Sequence, residues 1–374
     1  MVAARSFMVA HKCIDHAAVV GVAVRAGQKS RLNLTFVDSF HNDTYTYNMK
    51  PQTVPQRRST GEIALEPPIW LVGGHLQTIW PSFFRKVLLH HVPQTGWMPT
   101  PDADELAYDY YALEGAKGLV VLCHGLEGNA RRPYMLGMAA ALLEAGYEVL
   151  AWSYRGCGER LNKQPIFYHS GATYDLETVV CFAQQLKLLP IYLVGFSLGG
   201  NLVMRWLGEL GQKVPAAVRG AVAISVPLDL AAGSDYLTRP AAKAYTLNFL
   251  KSLKAKVKAK AERFPEHFRL DLLPKTKNLR HFDEYFTAPL HGYKDADDYY
   301  SRASSLFVLP QITVPTLLLQ AANDPFLPLS CYPEGPYPQL QLEITPAGGH
   351  VGFTVRGQTK SHAEERVVRF LNAL

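Results

Sequence analysis

Ser197 is the residue of this chain best placed to act as a nucleophile. It stands at the centre of Gly195-Phe196-Ser197-Leu198-Gly199, directly after the apolar run 191–194 and before a stretch with the apolar spacing of a helix. A G-x-S-x-G pattern between a strand and a helix forms a sharp turn that presents the serine hydroxyl to a base. The glycines keep side chains out of the crowded backbone of such a turn. We therefore predict that Ser197 attacks the carbonyl carbon of a substrate.

A serine nucleophile needs a base that takes its proton and a carboxylate that orients the base. In hydrolases with this turn, the acid and then the base follow the serine along the chain, each after a later strand. Asp324 comes a few residues after the apolar run 316–320, and His350 lies among glycines after the alternating segment 340–345. We predict that Asp324 and His350 complete a catalytic triad with Ser197.

Other interpretations of these residues stay open. Asp229 follows the predicted strand that ends near Ser225 and is the rival orienting acid. Asp324 precedes a proline, where an aspartate also forms an Asx turn with a purely structural role. A loop in solvent is the alternative setting for His350. His124 is a second histidine near the predicted site, and we interpret it as a structural hydrogen-bonding group rather than as the base.

Attack on a carbonyl creates an oxyanion, which two backbone N–H groups must meet close to Ser197. Leu198 provides the first because it directly follows the nucleophile. The second is expected in the loop after the strand 119–122, within His124-Gly125-Leu126-Glu127-Gly128, and we assign it to Leu126. Loss of one such donor costs about 2.7–4 kcal/mol of transition-state stabilisation in comparable enzymes.

Strand and helix patterns alternate in the segments that carry these residues. Strands are predicted at 119–122, 148–152, 191–194, 218–224, 316–320 and 340–345, and helices at 134–145, 174–188 and 363–374. Repeated β-α units of this length predict an α/β fold whose mostly parallel central sheet is flanked by helices. We assign residues 61–230 and 305–374 to this core and residues 231–304 to a helical cap that interrupts it.

The cap carries the basic charge of the chain. Residues 241–280 hold eleven lysines and arginines against three acidic residues, a local charge of +8 compared with +6 for the whole chain. Interleaved apolar residues predict a helix with one apolar stripe and a solvated basic face. This face comprises Lys251, Lys254, Lys256, Lys258 and Lys260. A soluble lid surface is the simplest role, peripheral contact with an anionic membrane surface is the alternative, and no module for nucleic acid surrounds the patch.

Aromatic residues are frequent in the same segment. They supply surface that either lines an acyl pocket or packs the cap onto the core. They are Tyr236, Tyr245, Phe249, Phe282, Tyr285, Phe286, Tyr299 and Tyr300.

Residues 1–60 differ in character from the rest. They lack sustained hydrophobic periodicity and end in a segment with prolines and arginines, 51–58. Such a stretch predicts a poorly ordered N-terminal extension. The alternative is that Met49 is the true start and that the earlier residues are translated upstream sequence. Charged residues between 11 and 16 interrupt the apolar region that a signal peptide requires.

The composition is that of a globular chain, with 374 residues of which 48% are hydrophobic and 19% charged. No apolar run approaches the roughly 20 residues that span a bilayer. The cysteines are odd in number and lack C-x-x-C spacing, which favours free thiols in a reducing compartment over disulfides or a zinc site. They are Cys13, Cys123, Cys157, Cys181 and Cys331. We therefore expect a cytoplasmic protein.

Seven sequence blocks, taken in their order, resemble those of the YheT-like esterases of the α/β-hydrolase superfamily. The blocks are Gly74-His75-Leu76-Gln77-Thr78-Ile79-Trp80-Pro81, His124-Gly125-Leu126-Glu127-Gly128, Tyr154-Arg155-Gly156-Cys157, Tyr168-His169-Ser170-Gly171, Gly195-Phe196-Ser197-Leu198-Gly199-Gly200-Asn201, Asn323-Asp324-Pro325 and Gly349-His350-Val351-Gly352-Phe353. The match runs from about residue 67 to the end. It implies a serine carboxylesterase with Ser197, Asp324 and His350 as its charge-relay set, and relatives that act on short- or medium-chain acyl esters or on glycerolipids.

Acyl transfer to water by such a set needs no metal and no organic cofactor, and it implies a small-molecule ester as the partner. A thioesterase or an acyltransferase would keep the same triad, and a non-catalytic binding protein on this fold is a further alternative. No obligate protein partner is indicated. The G-H-L-Q-T and Y-H-S-G blocks have no catalytic role that the residues suggest, and we expect them to pack the N-terminal strand and a loop near the site.

Overall fold

The computed structural model describes residues 65–374, and of the first 64 residues it describes only three strands. They are β1 (Gly21–Ala26), β2 (Leu32–Asp38) and β3 (Asp43–Asn48), paired antiparallel in the order β1-β2-β3. They belong to a unit that spans Met1–Thr53, whereas Val54–Leu374 form a second unit. The sequence analysis predicts no strand there. The poor order expected of residues 1–60 stays a prediction, and Met49 lies outside the described residues.

Eight strands form one sheet in the second unit. They are β4 (Gln94–Pro99), β5 (Glu105–Tyr111), β6 (Leu119–Cys123), β7 (Glu148–Ser153), β8 (Ile191–Phe196), β9 (Val218–Ile224), β10 (Thr316–Ala321) and β11 (Leu340–Thr345). Their order across the sheet is β11-β10-β9-β8-β6-β7-β5-β4. β6 to β11 pair in parallel, whereas the pairs β4–β5 and β5–β7 are antiparallel. This confirms the predicted α/β fold with a mostly parallel sheet.

Ten α-helices surround or extend this sheet among the described residues. They are α1 (Gly73–Phe84), α2 (Pro133–Glu144), α3 (Thr173–Leu186), α4 (Leu198–Leu210), α5 (Leu230–Tyr236), α6 (Lys243–Ala261), α7 (Leu279–Phe282), α8 (Ala288–Leu290), α9 (Ala296–Ala303) and α10 (His362–Asn372). The helices α5 to α9 lie between β9 and β10, in the segment assigned to the cap. None of the described helices is both long enough and apolar enough to cross a bilayer.

The two faces of the sheet pack against different helices, because successive strand residues point to opposite sides. Val121 of β6 belongs to a hydrophobic layer with residues of α3 and α4, such as Val179 and Leu202. Its neighbour Leu122 belongs to the opposite layer, with residues of α2 and α10 such as Met138. Burial on both faces explains why these strands are continuous apolar runs in the sequence. The carboxyl ends of the parallel strands therefore extend from a sheet that is buried on both faces.

The cap helix α6 corrects one expectation. Its predicted apolar stripe is buried, but so are Lys256 and Lys260, which are 9% and 0% exposed. Lys256 lies three positions after Leu253, and Lys260 lies three positions after Val257, so both lysines share the inward face of the helix. The predicted solvated basic face is therefore wrong for Lys256 and Lys260. Both amines find oxygen partners in the core, as described below.

Neither α1 nor the hairpin β4–β5 is predicted from the sequence. Helix α1 begins with two glycines and contains Pro81, residues that oppose helix formation when considered alone. Several of its large apolar residues, including Trp80, Phe83 and Phe84, are exposed. The helix therefore lacks the buried-face pattern that identifies a core helix in a sequence.

Candidate active site

The turn between β8 and α4 presents Ser197. Its φ is +52° and its ψ is −119°, a backbone conformation that a residue with a side chain rarely adopts. The Ser197 N–H donates to the carbonyl of Ile224 at 2.8 Å, which holds the turn against β9. A Cβ atom on Gly195 or Gly199 would overlap neighbouring backbone atoms, so the turn closes only with glycine at both positions. The strand–turn–helix arrangement expected of this motif is present.

Ser197, His350 and Asp324 form one hydrogen-bonded chain. His350 Nε2 lies 2.9 Å from Ser197 Oγ, and its Nδ1 lies 2.8 Å from Asp324 Oδ2. The other carboxylate oxygen of Asp324 accepts a hydrogen bond from the Phe326 N–H at 2.8 Å. The Phe326 ring stacks on the imidazole with a centroid separation of 4.1 Å. The three residues that the sequence analysis selects are thus brought together, and the imidazole is held by a carboxylate and an aromatic ring.

The two rival residues have other partners. Asp229 accepts a hydrogen bond from the Ala232 N–H at 3.1 Å and caps the start of α5. His124 is fully buried, with its Nδ1 at 2.7 Å from the Gly125 carbonyl and its Nε2 accepting from the Tyr154 N–H at 3.1 Å. Burial lowers the pKa of His124 to about 3, so the ring is neutral at physiological pH. Both ring nitrogens thus contact backbone groups, which fits the structural hydrogen-bonding role predicted for His124.

Leu126 and Leu198 lie beside the serine with their amides available. Leu198 is the first residue of α4, and Leu126 lies in a turn closed by the Gly128 N–H and the Gly125 carbonyl at 3.0 Å. That carbonyl also accepts from His124, and in a trans peptide it points away from the Leu126 N–H. Both leucines line the cavity that contains Ser197. Within the described residues neither amide donates to a protein acceptor, so both are free to meet an oxyanion.

Helix α1 connects the loops that carry the acid and the base, a role that the sequence analysis missed. Gln77 Oε1 accepts from Asn323 Nδ2 at 2.9 Å, and Thr78 Oγ1 accepts from the His350 N–H at 2.8 Å. A Cβ atom on Gly74 would overlap the Asn323 carbonyl, which shows how closely the two backbones approach. The G-H-L-Q-T block is the sequence signal for this helix, but the role predicted for the block is to pack the N-terminal strand.

Two other blocks also hold loops near the site. Arg155, of the Y-R-G-C block, is buried and bonds Asp175 and Asp104 at 2.7 and 2.9 Å. Tyr168, of the Y-H-S-G block, donates its hydroxyl proton to the carboxylate of Glu127 at 2.8 Å. Glu127 directly follows Leu126 in the turn. The Y-H-S-G block is therefore linked to one of the predicted oxyanion donors.

A cavity of about 670 Å³ lies against Ser197 and His350 and reaches under the cap. Its walls are mostly apolar. Five of the eight aromatic residues considered for an acyl pocket line it, namely Tyr245, Phe249, Phe282, Tyr299 and Tyr300. Phe286 is instead buried in the hydrophobic cluster of the cap itself. The cavity places Ser197 next to a mostly apolar surface that suits an acyl chain.

The described residues contain no group of three or more His, Cys, Asp or Glu side chains that could hold a metal ion. Their four cysteines, Cys123, Cys157, Cys181 and Cys331, are free thiols. Cys13 lies outside the described residues. Burial raises the pKa of Cys123 to about 12, which makes this thiol unreactive. None of these four cysteines lines the cavity, whereas Ser197 does.

Comparisons with known proteins identify the family and the fold of this chain. Residues 118–356 match the family model for the α/β-hydrolase fold. The chain is 34% identical to the Escherichia coli protein YheT, which is named as an esterase, over 75% of this chain and 84% of that protein. It is 33% identical to the phospholipase ABHD3 of Mus musculus, over 65% of this chain and 60% of that protein. The Pyrococcus furiosus esterase Pf2001 has a similar fold, with a TM-score of 0.51, 18% identity, and coverage of 76% of this chain and 93% of that one.

Proposed function

Because the chain belongs to the YheT-like branch of the α/β-hydrolase family, we propose that it is a serine carboxylesterase that works through an acyl-enzyme. One observation carries the proposal, namely the hydrogen-bonded chain Ser197–His350–Asp324 that opens into the apolar cavity. Its distances are those of a serine, a general base and an orienting acid. The reaction needs no metal or organic cofactor.

The proposed reaction begins with proton transfer. His350 holds its Nδ1 proton toward Asp324 and accepts the Ser197 proton at Nε2, while Oγ attacks the ester carbonyl. The amides of Leu126 and Leu198 donate to the resulting oxyanion. His350 then gives the proton to the leaving alcohol, and the acyl group stays on Ser197. In the second half of the reaction, His350 takes a proton from water, which attacks the acyl carbonyl, and then returns the proton to Ser197 as the acid leaves. Asp324 stabilises the imidazolium throughout.

The proposed substrates are short- to medium-chain acyl esters or acylglycerols. The cavity volume of about 670 Å³ lies within the range of about 300–1,000 Å³ that is usual for small-molecule sites. Aromatic walls offer an acyl chain an apolar environment. The relative named as a phospholipase supports a glycerolipid as one candidate. A thioesterase or acyltransferase would use the same residues with another leaving group or acceptor.

Contact with an anionic membrane surface stays part of the proposal, although through fewer lysines than the sequence suggests. Lys251 and Lys258 of α6 are exposed, and Lys251 lines the cavity. Phe83, of the exposed apolar face of α1, also lines the cavity. A basic side and an apolar side around one cavity match the headgroups and acyl chains of an anionic bilayer. Absence of binding to phosphatidylglycerol vesicles at low salt would remove this part, and the expected cytoplasmic location stays a prediction.

Ester turnover by Ser197→Ala tests the proposed function. We expect wild-type protein to hydrolyse p-nitrophenyl butyrate or a monoacylglycerol, and Ser197→Ala to lose about 10⁶-fold in kcat, because triad members act as a unit. Ser301→Ala, on the exposed side of α9, is the matched control and should retain wild-type turnover. Faster turnover of an acyl-CoA than of any oxygen ester would favour a thioesterase. Comparable turnover by wild type and Ser197→Ala would contradict the proposal. A wild-type protein that hydrolyses neither p-nitrophenyl butyrate, nor a monoacylglycerol, nor an acyl-CoA would also contradict it.

A further inference from the structure

The turn that carries the Leu126 amide contains a strained residue. Glu127, the third residue of the turn Gly125–Gly128, has a φ of +53°. A turn with positive φ at this position favours glycine, because a side chain there crowds the backbone. Such a conformation is strained and persists only where its surroundings enforce it. The contacts of Glu127 therefore decide whether Leu126 keeps its place.

Every polar group of Glu127 has a partner. Its N–H donates to the Tyr168 hydroxyl at 2.7 Å, and its carbonyl accepts from Arg132 at 3.0 Å. Its carboxylate accepts from the same Tyr168 hydroxyl at 2.8 Å and from Lys256 Nζ at 2.6 Å. Ser252 Oγ is a further donor to this carboxylate. The turn is thus held from its backbone and from its side chain.

Lys256 and Ser252 reach this carboxylate from the cap, because both lie on α6. The Lys256 and Glu127 side chains are each 8% exposed, so the ion pair is buried. A buried ion pair contributes little net stability, since desolvation of two charges offsets most of their attraction. Removal of one partner leaves the other charge buried without compensation. A role in geometry explains the pair better than a role in stability.

We propose that Glu127 and Lys256 are positioning residues for the oxyanion hole, through which the cap holds the Leu126 amide in place. The proposal rests on the proposed function, in which that amide meets the oxyanion. Lys256 fixes the Glu127 carboxylate, and Glu127 in turn fixes the backbone on the far side of Leu126. His124 fixes the near side through the Gly125 carbonyl. The predicted hole therefore depends on the core for one side of the turn and on the cap for the other.

The test compares kcat and KM for p-nitrophenyl butyrate in Glu127→Gln, Lys256→Met, the double variant and Lys256→Arg. A displaced oxyanion donor should lower kcat about 10- to 100-fold in either single variant, while KM changes less than about threefold, since the donor acts in the transition state. Lys256→Arg, which keeps the cation, should recover most of the loss. Because Lys256 acts on the turn through Glu127, the double variant should lose no more kcat than the worse single variant.

Lys275→Met is the matched control, because Lys275 is an exposed lysine of the cap that lies outside α6. It should keep wild-type kcat and KM. Where a lone buried charge prevents a single variant from folding, the double variant, which removes both charges, decides the question by its kcat and its thermal melting curve. Wild-type kcat in a folded double variant would overturn the proposal, and so would single-variant losses that multiply in the double variant.

These outcomes separate the inference from the function on which it rests. If Ser197→Ala is inactive and the Glu127 and Lys256 variants keep wild-type kcat, the esterase stands and the positioning role is overturned. If turnover does not depend on Ser197, both are overturned. A rise in KM with unchanged kcat would assign Lys256 and Glu127 to substrate binding and would also overturn the positioning role.

Discussion

The two walls of the cavity are held by different forces. On the sheet side, Ser197 and His350 follow parallel strands, in loops fixed by backbone hydrogen bonds and by close backbone contacts that only glycine permits. On the cap side, α6 reaches the core through two buried amines. Lys256 bonds Glu127, and Lys260 donates to the carbonyls of residues 162 and 164. The sheet wall is therefore fixed by backbone contacts, whereas the cap wall is held by side-chain contacts, both apolar, such as Tyr245 against Phe326, and polar.

This difference predicts different consequences of substitution. A change at the sheet wall acts on the reacting atoms and should abolish turnover. A change at the cap wall should lower kcat only partly or should reduce stability, because the cap acts on the site through connecting residues such as Glu127.

Among variants that keep the Ser197 nucleophile, the largest effect is expected at the acid. Asp324→Asn should lower kcat about 10⁴-fold with little change in fold, because an amide no longer holds the correct tautomer of His350. Asp229→Asn is the control, since asparagine also caps a helix. It should retain wild-type kcat on the same ester. A larger loss in Asp229→Asn than in Asp324→Asn would reverse the assignment of the acid.

A smaller effect is expected in α1. Thr78→Val leaves the buried N–H of His350 without its acceptor, which should lower the free energy of unfolding by about 1–3 kcal/mol. The loosened loop should also lower kcat about tenfold, because a small misplacement of the base slows the reaction. Thr178→Val, at a partly exposed position of α3 that also bonds a carbonyl four residues earlier, provides the control. Equal kcat in both variants would show that α1 does not position His350.

Lys260 and Lys256 allow a comparison within one helix. Lys260→Met removes a donor from buried carbonyls and should lower the free energy of unfolding by about 2 kcal/mol. It should leave kcat per folded molecule within about threefold of wild type, because Lys260 does not contact the oxyanion turn. Chemical denaturation and active-site titration measure the two quantities. A selective loss of kcat in Lys260→Met would mean that the whole of α6, rather than Lys256, controls the site.

The smallest effect is expected at Asp283 of the cap, and this effect depends on pH. Burial raises the pKa of Asp283 to about 6, although hydrogen bonds from Tyr300 and Thr287 oppose the shift. A carboxyl whose pKa is higher in the folded state holds its proton more tightly there, so unfolding free energy falls as pH rises from about 4 to about 6. Asp283→Asn should therefore gain in melting temperature relative to wild type between pH 4 and pH 7. A constant difference across this range would contradict the shift.

The sheet wall could be predicted from the sequence because its signals are local. Each of Ser197, Asp324 and His350 follows a strand that is recognisable by its apolar pattern, and parallel strands bring their carboxyl ends to one edge. The elbow glycines are also explained by their immediate neighbours. The strand and helix positions in this part of the chain agree with the structure within a few residues.

The cap wall and α1 could not be predicted in the same way, because their contacts join distant parts of the sequence. Nothing near Lys256 indicates that its amine meets a carboxylate 129 positions earlier. A lysine in a helical pattern is normally assigned to solvent, yet its long apolar stem permits burial when an oxygen accepts the amine. The contact between Thr78 and His350 spans 272 positions and depends on the completed fold.

Covalent labelling of the native protein tests the central claim most directly. A fluorophosphonate reacts with a serine that is activated by its base, and mass analysis of the digested adduct identifies the modified residue. We predict one adduct per chain, on Ser197, with loss of ester turnover in proportion to labelling and no adduct in Ser197→Ala. Stoichiometric labelling of another residue, or full turnover in fully labelled protein, would contradict the assignment of Ser197 as the nucleophile.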